Sequence, residues 1–124
     1  MVVDHFTDDE ADRVFQALAD ATRRDILVRT MWQGESVSEL SRRYTMSFAA
    51  VQKHVAVLEK AALVTKERRG REQIVQGNAS TLRRATALLD AYEQIWIQRT
   101  ARIADILAED AGDGGAATEE GDST

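Results

Sequence analysis

The stretch Ser36-Val37-Ser38-Glu39 constrains this chain most: a Ser three residues ahead of a Glu, leading into apolar residues at helical spacing, is a capping box that fixes a helix start. Val37 and Leu40 face inward from that short helix, with Tyr44 as a further inward candidate. After Thr45 and Met46, Ser47 caps the next helix, which runs to about Lys60 with Val51, Val55 and Leu58 as its buried stripe. Two short amphipathic helices joined by a turn of a few residues have the geometry of a helix-turn-helix.

The flanking segments extend this unit. Asp8 or Asp9 caps a first helix presenting Ala11, Val14, Phe15 and Leu18. Thr22 caps a second, with Asp25 at the third helical position, Ile26, Leu27 and Met31 behind it, and Gly34 ending it. Beyond the fourth helix, Leu63 to Arg68 and Glu72 to Gln76 read as short strands, joined through Arg69-Gly70-Arg71 as a tight hairpin. Asn78 or Ser80 starts a last helix in which Leu82, Ala85, Leu88, Leu89, Tyr92, Ile95, Trp96, Arg99, Ile103 and Leu107 recur at three- and four-residue steps. The fold class is mainly α with a small β-hairpin, a winged helix-turn-helix in the order α-α-α-α-β-β-α. Residues 1–7 are a flexible N-terminus, 8–108 the winged helix-turn-helix domain, and 109–124 a disordered acidic tail of small residues.

The fourth helix turns Phe48, Ala49, Gln52, Lys53 and Ala56 away from its buried stripe. Small residues allow close approach, Gln52 suits adenine, and Lys53 suits guanine or phosphate. Phe48 has a second reading, packed under the preceding helix. Lys66, Arg68, Arg69 and Arg71 put four cations on or beside the hairpin, suited to phosphate, with Arg71 or Arg69 able to enter a narrow minor groove. His54 adjoins the buried stripe and packs within its own fold sooner than it serves as a ligand.

Charge supports this division of labour. The net charge of −5 hides three regions: −5 over residues 1–21, +7 over 22–102 and −7 over 103–124. A basic centre offers a phosphate-binding surface because the field near the contact matters, and not the chain total. The absence of cysteine excludes thiol nucleophiles, disulfides and thiolate metal sites. His5 and His54 stand at no metal-ligand spacing, and the midchain carboxylates Glu35, Glu39, Glu59, Glu67 and Glu72 fit caps and solvated faces, so neither a metal, a cofactor nor an enzyme is expected. No run of 18 apolar residues and no basic-then-apolar leader occurs, so a cytoplasmic protein without membrane attachment is expected.

Four segments, Leu18-Ala19-Asp20-Ala21-Thr22-Arg23-Arg24-Asp25-Ile26-Leu27, Ser36-Val37-Ser38-Glu39-Leu40, Met46 to Leu58 and Ala61-Ala62-Leu63-Val64, together with the Arg69-Gly70-Arg71 turn, resemble in order the ArsR/SmtB family of winged-helix repressors over roughly residues 10–107. The resemblance implies a homodimeric bacterial repressor that binds double-stranded DNA at an inverted-repeat operator and releases it on a signal. It assigns Ser47, Phe48, Ala49, Gln52 and Lys53 to recognition and Arg69 and Arg71 to the wing. Arg23 and Arg24 fall at the family's arginine pair, whose role is partly structural. The first and last helices form the dimer, through Val14, Leu88, Tyr92, Ile95, Trp96, Arg99 and Ile103. Two departures stand out: Ala21 replaces a usual proline, and Ala62 a common glycine, which strains Ala62 if its turn keeps φ > 0.

The third helix lacks the family's cysteine pair and the last helix its histidine, which places the chain with the non-metal-sensing branch. The signal is then an unidentified small-molecule effector, a partner protein or the chain's own concentration. Two alternatives stay open: a helix-turn-helix module used for protein contacts, and a repressor with an organic-ligand pocket near Tyr92, Ile95 and Trp96.

Overall fold

The computed structural model describes residues 6–114. Its elements are α1 (Asp8–Leu18), α2 (Ala21–Trp32), β1 (Glu35–Ser36), α3 (Val37–Arg42), α4 (Phe48–Lys60), β2 (Val64–Arg69), β3 (Glu72–Gly77) and α5 (Ala79–Gly114). The chain divides into two units after Leu88. The first holds the winged helix, and the second consists, among the described residues, of the remainder of α5.

Side-chain caps set the helix starts, at two places one or two residues from the expected ones. Thr7, not Asp8 or Asp9, caps α1: its hydroxyl accepts from Glu10 N while Glu10 returns a carboxylate to Thr7 N. Asp20, not Thr22, caps α2, because Asp20 has extended backbone and its carboxylate reaches Arg23 N at 3.0 Å. Backbone donation to Asp20 holds its carboxyl below the usual range, as the Thr7 amide does for Glu10. The expected caps at Ser36 and Ser47 are present, the first as a full capping box.

Gly34 does not end α2 by a left-handed turn. The helix stops at Gln33, and Gly34 serves close approach: a Cβ there would lie 2.9 Å from Gln76 Oε1 and 3.0 Å from Ile74 Cγ2. That approach admits β1, a two-residue strand too short to leave a periodic signature. It pairs with β3 through Glu35↔Val75 and Ser36↔Ile74, giving a three-stranded antiparallel sheet in the order β1-β3-β2 where a hairpin alone was expected.

The core of the winged helix is built from Val14 and Ala17 of α1, Ile26 and Leu27 of α2, Val37 and Leu40 of α3, Val51, Val55 and Leu58 of α4, and Leu63, Val64 and Val75 around the sheet. Thr30, fully buried, returns its hydroxyl to the carbonyls of Ile26 and Leu27 and so leaves no unpaired donor in the core. Met31, expected inside, sits at the edge instead, 37% exposed and against Gly77.

α4 ends in a two-bond cap. Leu63 N donates to Leu58 O and Ala62 N to Glu59 O, with Ala62 at φ 62° between them. Its carbonyl receives Asn78 Nδ2 at 3.0 Å and Thr81 Oγ1 at 2.6 Å, so the left-handed residue is held from the start of α5. α5 runs to Gly114, past residue 108 where the domain was expected to close; residues 1–5 and 115–124, most of the two expected flexible ends, lie outside the described residues.

Ala62→Gly is expected to stabilise the protein by up to about 1 kcal/mol, since the exposed Cβ there carries strain and no packing. Gly77→Ala is expected to cost about 1–3 kcal/mol, because its Cβ falls on the Met31 side chain and within 3.1 Å of Met31 Cα. Urea unfolding of both variants checks the pair.

Candidate nucleic-acid interface

α4 is placed by its buried seam and by two polar fastenings. The seam of Val51, Val55 and Leu58 turns the opposite face outward, where Ser47, Phe48, Ala49, Gln52, Lys53 and Ala56 are all exposed. Ser47 Oγ accepts from Ala50 N at 3.1 Å, which leaves its hydroxyl proton to donate outward. Phe48 is 46% exposed, so it does not pack away under α3.

The first fastening begins at the α1–α2 junction. α1 has no basic residue in its last turn. Arg23 of α2 instead donates through Nε to Ala17 O at 2.8 Å and through Nη2 to Gln16 O at 2.9 Å, while Arg24 Nη1 reaches Leu18 O at 2.7 Å. The arginine pair thus satisfies three carbonyls at the negative end of α1. The same Arg23 guanidinium lies 3.3 Å from His54 Nδ1 on α4, a contact in which the arginine donates and the imidazole nitrogen accepts. His54 therefore serves its own fold, as expected.

The second fastening holds the turn between α3 and α4. Tyr44 donates its hydroxyl to Asp25 Oδ2 at 2.5 Å, and Arg29 Nε donates to the same oxygen at 2.8 Å. Asp25 thus works as a tether and not as a third-position cap. The Tyr44 hydrogen bond, then Arg29, holds the Asp25 carboxyl below its ordinary value, while burial, then Asp25, pushes Tyr44 up to about 12. Arg43 Nε meets Glu35 Oε1 at 2.8 Å and clamps the end of α3 to β1.

The wing's cations fall on two faces. Strand alternation puts Lys66 and Arg68 on the side of Val64 and Val75, and Arg69 on the side of Glu67 and Ile74. Lys66 pairs with Glu59 of α4 at 3.5 Å and Arg69 with Glu67 at 3.2 Å. Among the described residues Lys53, Arg68 and Arg71 make no ion pair, so their charge is uncompensated. Gly70, at φ 63°, makes the turn that presents Arg71. Between wing and α4 lies a cleft of about 210 Å³ lined by Phe48, Gln52, Lys66, Arg71 and Gln73 among others. Of the residues expected separately from the sequence, Phe48 and Gln52 of α4 and Lys66 and Arg71 of the wing thus share one cleft, while Arg69 lies on the other face of the hairpin. Val14, expected on a dimer face, lies instead in the protomer's own core, 1% exposed, because α1 turns it toward the core.

An HTH-type transcriptional regulator, Rv2034 of Mycobacterium tuberculosis, is 32% identical to the chain over 102 residues, covering 82% of this chain and 92% of that one. The solved structure of an ArsR-like transcriptional regulator from Rhodococcus sp. RHA1 is similar to the chain with a TM-score of 0.72 at 32% identity, covering 79% of this chain and 92% of that one. The chain belongs to the ArsR/SmtB family of winged helix-turn-helix transcriptional regulators. A further ArsR family regulator, RHA00566, matches with TM-score 0.69 and 27% identity over 74% of this chain and 95% of its own. No family model matches the chain.

As a family member it is a DNA-binding regulator and not an enzyme. It has no cysteine, and among the described residues no three His, Asp or Glu side chains gather into a metal-holding group, consistent with the branch that does not sense metals. Among the described residues no helix is long and apolar enough to cross a membrane.

The Tyr44–Asp25 bond gives a pH test. Asp25, with its folded value depressed, contributes stability present above the ordinary carboxylate range and lost as pH falls through the folded value. Tyr44, with its folded value raised, contributes stability present below 10.0 and lost as pH rises toward about 12. Tyr44→Phe is expected to cost about 1 kcal/mol at pH 7, discounted for a half-exposed site, and to lose less stability than wild type between those alkaline values. Denaturant unfolding across pH checks both arms, with Asp25→Asn as the acid-side counterpart.

Proposed function

We propose that the protein is a homodimeric repressor, acting on its own or a neighbouring promoter, that binds an inverted-repeat operator with one α4 in the major groove of each half-site. The observation that carries this reading is the cleft on which Phe48 and Gln52 of α4 adjoin Lys66 and Arg71 at the wing, with exposed Lys53 next to Gln52 in the chain. An amide, an ammonium and small neighbours suit base edges, and the wing's cations suit the flanking phosphates.

The exposed face of α5 supports the dimer. Every residue from Leu89 to Ala111 is exposed, including Tyr92 at 58%, Ile95 and Trp96 at 64% and Ile103 at 48%. Such a stripe at three- and four-residue steps on one helix is a surface for a second helix, and burying each large side chain there stabilises a dimer by roughly 1.5–3 kcal/mol. Leu88 and Arg99 extend the stripe. The depression along α5 lined by Ile95, Gln98, Arg99 and Asp105 belongs to one helix, which favours a helix partner over an enclosed organic effector.

A salt titration of binding to the protein's own upstream promoter against scrambled DNA tests the reading. Specific binding by one dimer is expected, with Arg71→Ala lowering affinity on all sequences and the salt slope by about 1. Gln52→Ala is expected to change sequence preference instead; equal weak binding to both DNAs defeats the reading. Trp96→Glu is expected to yield monomers by sedimentation and to weaken operator binding with them.

A further inference from the structure

Phe48 is spent on neither the core nor the capping of α4. The buried stripe of that helix is complete with Val51, Val55 and Leu58, and Leu40 and Val37 of α3 close over it. Phe48 nonetheless stays 46% exposed at the first helical position, next to exposed Ala49 and one turn before exposed Gln52. Covering a ring that stands open to water is favourable in proportion to the apolar area removed from water, so Phe48 is able to contribute to binding in a working complex. Its surroundings indicate the partner. The cleft it lines has apolar Val37 and Val55, the cations Lys66 and Arg71 and one carboxylate, Glu72, among its walls. At about 210 Å³ it is smaller than the roughly 300 Å³ at which pockets for drug-sized ligands begin, so it suits the edge of a base and not a free organic molecule. Lys66 is engaged by Glu59, but Arg71 and, next to Gln52 in the chain, exposed Lys53 make no ion pair among the described residues, and these two cations against the one carboxylate of Glu72 favour a polyanion over an apolar protein segment.

Among base edges in the major groove, one carries an apolar group: the C5 methyl of thymine. We propose that Phe48 reads a thymine methyl in each operator half-site, making the first turn of α4 a methyl-sensing element beside the hydrogen-bonding Gln52. The inference rests on the DNA-binding reading above. The ring suits this work because α4 holds its backbone in place, so little freedom is lost on contact. Exposed Ala49 beside it lets the helix approach the groove.

The test replaces thymine by deoxyuridine, which removes the methyl and leaves every hydrogen bond of the pair intact. Duplexes are first selected by the full-length protein from a randomised pool, and each thymine of the selected site is then exchanged singly and its affinity measured by anisotropy. Wild type is expected to lose about three- to tenfold at one thymine per half-site, the scale of one buried methyl. Phe48→Ala is expected to bind thymine and uracil alike there. Gln52→Ala, which leaves the ring in place, is expected to keep the thymine–uracil difference. Equal affinity for thymine and uracil at every position overturns the proposal, as does a difference that survives in Phe48→Ala. Selection of no sequence at all overturns the DNA-reading function itself and this inference with it, an outcome distinct from specific binding that ignores the methyl.

Discussion

The guanidinium of Arg23 is the interaction on which the placement of the exposed face of α4 depends. α1 ends with its carbonyls unsatisfied and no cation of its own, and Arg23 answers both needs while its remaining nitrogen rests against His54 of α4. Three helices are thereby referred to one planar group. A lysine would keep the charge but could not hold two carbonyls and an imidazole in fixed directions at once. The apolar seam supplies the larger part of the stability, yet it is non-directional; the guanidinium gives the helices a preferred orientation.

The wing illustrates how ion pairing sorts charge that composition treats as one patch. Lys66, Arg68, Arg69 and Arg71 are close in sequence, but Lys66 is engaged by Glu59 and Arg69 by Glu67, whereas Arg68 and Arg71 keep their full charge. Glutamates interleaved with the cations keep the hairpin from becoming a uniformly positive strip, and this favours a phosphate contact at a definite place over general adhesion to polyanions.

Most of the architecture was legible in local chemistry. The Ser36–Glu39 box, the Ser47 cap and the Val51, Val55, Leu58 stripe are short-range signals, and each is realised as written. The left-handed Ala62 was legible as well, from its position between helix and strand. The Thr7–Glu10 box was equally plain in the sequence, but three neighbouring acids drew the helix start inward. What escaped was long-range. Nothing near Asp25 announces that its partner is Tyr44, nineteen residues on, and nothing in Glu35-Ser36 announces a strand, because two residues display no period. Val14 escaped for a related reason: an apolar residue on an amphipathic helix looks the same whether it meets its own core or another copy.

Ser36 occupies two structures at once. Its side chain opens α3, and its backbone pairs with Ile74 in the wing's sheet. The chain between those partners contains α3, α4 and β2, so the β1–β3 pairing closes a large loop around the entire recognition unit. That topology makes the unit indivisible in an engineering sense. Transplanting α3 and α4 into another scaffold would leave Ser36 without its strand partner, and lengthening the wing would tug on the start of α3. Under the proposed reading, a change of target is accordingly easiest by exchanging outward side chains on α4, with the backbone that carries them unchanged.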